Sequence, residues 1–135
     1  KTLGAEEDAA KRISFGIRMY MRRAHEEPDW GRFLCKFAFS SKSLMGLWTG
    51  ESSPLSDVQK GLDSARYNIE GKQIFAVMSM IAGTVLSSMF LVLEGFKTWR
   101  EIGSESAELI LRALGLDPAE AHHIANIELP NLKEV

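Results

Sequence analysis

The chain has 135 residues and a net charge of −2, with 45% hydrophobic and 25% charged residues. That length encloses one hydrophobic core, and the charge balance argues against a nucleic-acid or anionic-membrane surface on this segment. A single cysteine, Cys35, excludes an internal disulfide and a cysteine-based metal site, and it suits a reducing cytoplasm.

The first expected helix covers about 6–25, with Ala10, Ile13, Ile17, Tyr20, Met21 and Ala24 on one face. Phe15 and Met19 lie beside that stripe and widen it, so this helix should be covered on more than one side. Lys11, Arg12, Arg18, Arg22 and Arg23 read as a solvated face, since Glu6, Glu7, Asp8, Glu26 and Glu27 flank them. A second helix runs from about 29 into the forties, with Trp30, Phe33, Leu34, Phe37, Ser41 and Leu44 at helical spacing. Met45 and Trp48 either extend it or fold back over it, and 49–53 reads as a loop.

Ser53-Pro54 and Asp117-Pro118 each set a capping side chain before a proline at the first helical position. The third helix therefore starts near Pro54 and carries Leu55, Val58, Leu62, Ala65 and Ile69, with a break at 68–71. The fourth is expected over about 72–94, the fifth over 104–114 and a short sixth over 118–125. Glu120 stands where it would complete a capping box with Asp117. Gly95 and Gly115 follow strong apolar runs, where a left-handed residue closes a helix, and Leu116 supplies the hydrophobic contact of the second closure. No alternating stretch is long enough for a sheet. The expected fold is all-α, a bundle of about six helices.

The fourth helix contains nineteen residues, 75–93, without a charge. Such a run meets the length test for a membrane span. Its serines, Thr84 and Gly83 keep its hydrophobicity modest, however, and its flanks Lys72, Gln73, Glu94 and Lys97 show no basic asymmetry. A helix shielded by protein is the better reading. Ala76, Ser79, Gly83 and Ser87 gather on one side with Phe90 among them, while Met78, Ile81, Val85, Met89 and Val92 gather opposite. The slim side admits the backbone of another helix and the bulky side fills a core. A second copy of the chain would cover the slim side, so a homodimer is expected. The fifth helix alone is the alternative cover.

Several stretches resemble the C-terminal domain of the tetracycline repressor (TetR) family. They are Arg22-Arg23-Ala24 before Glu27-Pro28-Asp29-Trp30, then Gly61-Leu62-Asp63-Ser64-Ala65-Arg66, and the long helix with Gly83 and its Leu93-Glu94-Gly95 end. The run Leu111-Arg112-Ala113-Leu114-Gly115-Leu116-Asp117-Pro118-Ala119-Glu120-Ala121 completes the likeness. The resemblance implies an effector-sensing and dimerising domain over 1–135 of a cytoplasmic transcription regulator, a repressor. Operator DNA would be read only by an amino-terminal helix-turn-helix that these residues do not include.

It also implies pairing through the last two long helices in a four-helix interface, with Ala76, Ser79, Gly83, Ser87, Phe90, Ala107, Ile110, Leu111 and Leu114 in contact. A small, mostly apolar effector would enter beneath the first, second and fourth helices. Binding would shift the first helix and change the spacing of two recognition helices that must sit ~34 Å apart.

The candidate pocket residues are Phe15, Met19, Phe33, Phe37, Trp48, Phe75, Met78 and Ile81, although stripes of this kind also make plain core. Cys35 reads as a small buried hydrophobe. His122 and His123 point about 100° apart on a helix and do not chelate one metal well. Arg66 and Tyr67, ending the third helix, reach either a ligand or local carbonyls, with the carbonyls favoured. No nucleophile elbow, zinc-protease pair, phosphate loop or dinucleotide fingerprint is present. Neither catalysis, a cofactor nor a membrane partner is expected. The other reading is a helical interaction module that dimerises or docks a partner without sensing anything.

Overall fold

Six α-helices carry the described residues, 8–40 and 54–130, of the computed structural model: α1 (Ala9–Glu26), α2 (Pro28–Phe37), α3 (Pro54–Asp63), α4 (Ile74–Leu93), α5 (Trp99–Ala113) and α6 (Pro118–Ala125). A 3₁₀ turn, Gly71–Gln73, leads into α4, and no strand occurs among the described residues. The all-α expectation is met.

The ends of these helices follow local chemistry. Gly95 and Gly115 adopt φ of 77° and 106°, the left-handed region that costs glycine little. After α4, Phe96 N–H reaches Leu91 O and Gly95 N–H reaches Val92 O; after α5, Leu116 N–H reaches Leu111 O and Gly115 N–H reaches Arg112 O. Both are the paired bonds of a Schellman closure, and Leu116 is buried as that motif requires.

Asp117 caps α6 by accepting from Ala119 N–H at 3.1 Å. Glu120 does not complete the expected box, because its carboxylate is taken by Arg66 at 2.8 Å. The fifth helix begins five residues earlier than expected, at Trp99 rather than 104. The capping box of Thr98 and Glu101 opens it there, a Thr-x-x-Glu signal that Gly103 obscures. The third helix stops at Asp63. Ala65 turns left-handed at φ 57°, and Arg66 N–H bonds Gly61 O at 2.8 Å. The expected helical positions Ala65 and Ile69 therefore belong to the connection. The expected continuation of the second helix through Ser41, Leu44, Met45 and Trp48 lies outside the described residues.

Helix α1 packs on all five other helices. Ala9, Ala10, Ile13, Phe15, Ile17, Met21 and Ala24 are buried along it. Packing on so many sides also takes in some of its polar side chains, which corrects the reading of Arg12 and Arg18 as solvated. Arg12 Nε pairs with Asp57 on α3 at 2.8 Å, with both side chains nearly covered, and Ser14 Oγ donates to Ile124 O on α6 at 3.3 Å. Arg18 is 8% exposed. The fully buried Met21, Leu34, Ile81, Met89, Leu111 and Leu114 each contribute about 2 kcal/mol by leaving water.

Close approaches depend on glycine at two crossings. A Cβ on Gly31 would lie 3.2 Å from Ala24 Cβ, and one on Gly103 would lie 3.4 Å from Arg18 Cγ. Gly61 is tighter still, because the Tyr67 ring occupies the space a Cβ would need. Gly61→Ala should therefore lower stability by about 1–3 kcal/mol, seen as a drop of several degrees in the melting curve. Gly16→Ala on α1, where nothing lies within 4 Å, should instead raise stability by about 0.5–1 kcal/mol.

Candidate functional site

Helix α4 has two sides of opposite character. Val77, Ile81, Ala82, Val85, Ser88 and Met89 are buried, and Ser88 Oγ shares a buried 3.0 Å hydrogen bond with Ser106 Oγ on α5. Phe75, Ala76, Ser79, Gly83, Ser87 and Phe90 are exposed, gathered within about 120° of the helix circumference at about 100° per residue. Phe75 is 78% exposed and Phe90 52%. Nothing lies within 4 Å of where a Gly83 Cβ would stand. Ser87 turns its hydroxyl back onto Gly83 O of its own helix, which spends that donor locally and leaves Ser79 as the other hydroxyl on an otherwise apolar face. The small stripe is thus open, and α5 does not cover it.

The α5 residues expected to share that interface sit elsewhere. Ala107, Ile110, Leu111 and Leu114 are 0–3% exposed and belong to the chain's own core, so they have no surface to give a second chain. Their period marks an inner face correctly, but a period does not say whose atoms cover it. The outward side of α5 carries Glu101, Glu105, Leu109 and Arg112.

The expected pocket residues do not converge. Phe15 and Ile81 are buried, Met19 and Met78 half-buried, and Phe33, Phe37 and Phe75 exposed; Trp48 lies outside the described residues. Phe33 and Phe37 set their rings against each other at 5.1 Å on the outer side of α2. Phe75 joins the open stripe of α4, about 120° around the helix from Ile81 at 100° per residue. Its aromatic character suggested a lining role, whereas its helical angle places it with the small residues.

A charged clamp fixes the start of α1. Arg66 Nε reaches Asp8 Oδ1 at 2.9 Å and Arg66 Nη2 reaches Glu120 Oε2 at 2.8 Å. One side chain in the α3–α4 connection thereby ties the first turn of α1 to α6, with carboxylates rather than the expected carbonyls as its acceptors. Partial burial raises the Asp8 pKa, but the hydrogen bond and charge of Arg66 outweigh it and hold the carboxyl below its ordinary value. Tyr67 is buried with its hydroxyl bonded to nothing. Burial, then the charges of Asp8 and Asp57, push its pKa up.

Nucleophiles and metal ligands are scarce among the described residues. Cys35 Sγ points at Leu86 O at 3.6 Å, and burial raises its pKa against the pull of Arg32, so it stays a thiol at neutral pH. His122 meets Glu108 at 2.8 Å, and among the described residues no group of three or more His, Cys, Asp or Glu could hold a metal. Among the described residues one helical stretch, Gly71–Leu93, is long and apolar enough to cross a membrane by length and composition.

Among known families, the model described as the tetracyclin repressor-like C-terminal domain matches residues 8–127. No curated protein and no solved structure matches the chain significantly.

The clamp generates a pH prediction. Because the folded Asp8 titrates below its unfolded value of ~3.9, its contribution is present above that value and lost as pH falls through the folded one. The melting temperature should drop on acidification from about pH 5 to pH 3, and Arg66→Gln should flatten part of that drop. Parallel curves for the two proteins would show that the clamp carries no stability.

Proposed function

The chain belongs to the tetracyclin repressor-like C-terminal domain family, and from that membership we propose that it is the effector-binding and dimerisation domain of a cytoplasmic transcription repressor. DNA reading is assigned to a helix-turn-helix unit outside these residues. No catalytic role is proposed.

The observation that carries this reading is the open stripe of α4. Its exposed side runs from Phe75 to Phe90 without a charge, about 23 Å of helix at 1.5 Å per residue. Uncharged patches of that extent mark contact surfaces. The small side chains of Ala76, Ser79, Gly83 and Ser87 let a second α4 approach backbone to backbone, with Phe75 and Phe90 as bulky ends. A two-fold pair satisfies this face, since each stripe supplies what the other needs. The same helix would suit a membrane by length alone, but its opposite side is committed to the core through Val77, Ile81, Val85 and Met89, and the family argues for a soluble regulator.

Effector binding is assigned to the space where α1, α2 and α4 pack on one another. Half-buried Met19 and Met78 suit that role, because thioethers adapt to irregular apolar guests. A guest there displaces α1, and α1 touches every other helix. The shift alters DNA binding if the ligand prefers one of two arrangements, since recognition helices must remain ~34 Å apart.

Two measurements test the reading. Nothing lies within 4 Å of a Gly83 Cβ, so Gly83→Leu should fill the open stripe and leave the fold in place while dimer dissociation rises by about tenfold or more, about 1.4 kcal/mol. Light scattering that finds an unchanged dimer mass, or a wild type that is already single, would overturn the interface. In a melting screen, some small apolar compounds should raise the transition as binding to the folded state requires. A flat response across the panel would leave only the interaction module, and dependence on detergent would favour the membrane.

A further inference from the structure

The crossing of α1 over α5 at Gly103 has a second product. A Cβ at Gly103 would lie 3.4 Å from Arg18 Cγ and 3.5 Å from Arg18 Cα, so the Arg18 stem rests on the α5 backbone. Arg18 lines a half-open cleft of about 540 Å³ between the first turns of α5 and the residues that follow α6. The residue is only 8% exposed, and its Nη1 is sealed from water and donates to no acceptor. A sealed donor of that kind is costly and lies out of reach of a ligand; what the cleft offers a ligand is the part of Arg18 that forms its wall.

The charges around the cleft point to what a ligand there would be. Burial first, and the positive charge of Arg100 second, lower the Arg18 pKa. Arg100 also lines the cleft, with its guanidinium 4.4 Å above the Trp99 ring. Two carboxylates on the rim are already engaged: Glu101 receives Thr98 N–H and Oγ1, and Glu105 accepts from Lys97 at 2.7 Å and 2.9 Å. Glu128 is the rim carboxylate left facing the cleft. Ser104 and Asn126 add polar side chains, and Trp99 and Leu129 supply apolar wall. The positive end of α5 opens on the same space.

We propose that this cleft binds a small organic monocarboxylate, its head group on Arg18 and Arg100 and its apolar body against Trp99 and Leu129. A planar guanidinium fork matches a carboxylate in charge and shape. A doubly charged phosphate is disfavoured, because three carboxylates stand on the rim. The site is separate from the α1–α2–α4 space assigned to the effector and does not depend on that assignment.

Titration calorimetry with benzoate, and with inorganic phosphate as comparison, tests the site on the whole chain. Benzoate should bind one per chain and phosphate should not. Arg18→Met should weaken benzoate by about tenfold or more, as loss of a charge-assisted pair does. Without benzoate it should melt no lower than wild type, since the orphaned donor is gone. Glu128→Gln, an exposed change that leaves the fold alone, should tighten benzoate by about threefold by removing a nearby like charge. No benzoate binding by the wild type, equal affinity in Arg18→Met, or phosphate binding as tight as benzoate would each overturn the proposal. If Arg18→Met does not fold, unchanged affinity in both Glu128→Gln and Arg100→Gln would overturn it.

Discussion

Enclosure of α1 by every other helix is the constraint on which the rest of the structure depends. A helix open to water on one side can place its polar residues there, and α1 has little such side along its first four turns. Each polar group it carries must find a partner inside the protein or remain without one. Arg12 finds Asp57 and so ties α1 to α3, while Ser14 finds a carbonyl of α6. Arg18 finds no protein acceptor for its Nη1, while another part of the residue lines the cleft beside α5. The same enclosure makes α1 a natural element for transmitting a shift, since no neighbour can move it without disturbing the others.

Helix α4 meets the opposite condition. One of its sides is as buried as a core helix and the other is open, yet neither carries a charge. A surface helix of a single-copy protein ordinarily turns a charged side to water. The open side of α4 is instead slim in the middle and bulky at both ends, and the proposed pairing rests on that profile. Of its three serines, Ser88 is spent inside on Ser106, Ser87 bonds its own backbone, and Ser79 is the one small hydroxyl left on the open side.

The connection between α3 and α4 binds these two helices to the remainder. Tyr67 lies over Gly61, Asn68 N–H bonds Leu114 O at 2.7 Å, and Arg66 spans Asp8 and Glu120. Three consecutive residues thereby join the beginning of α1, the end of α5 and the start of α6. A segment that looks like a simple break in helical period is a junction of the fold.

From the order of residues alone, the helix count, the two glycine closures, the proline starts and the two sides of α4 could be read, because each depends on neighbours three or four positions away along one chain. The resemblance to its family was legible for the same reason. What folding decided is everything that needs two distant segments to meet. Ile110 and Leu111 have the spacing of an interface, but the atoms that cover them come from the same chain. Arg12 and Arg18 have the composition of a wet surface, but α3 and α5 close over them. Phe75 looks like pocket lining and stands on the outer stripe. Periodicity tells a side chain which way to face on its own helix; only packing tells it what it faces, and that difference separates a core, a twin and a ligand.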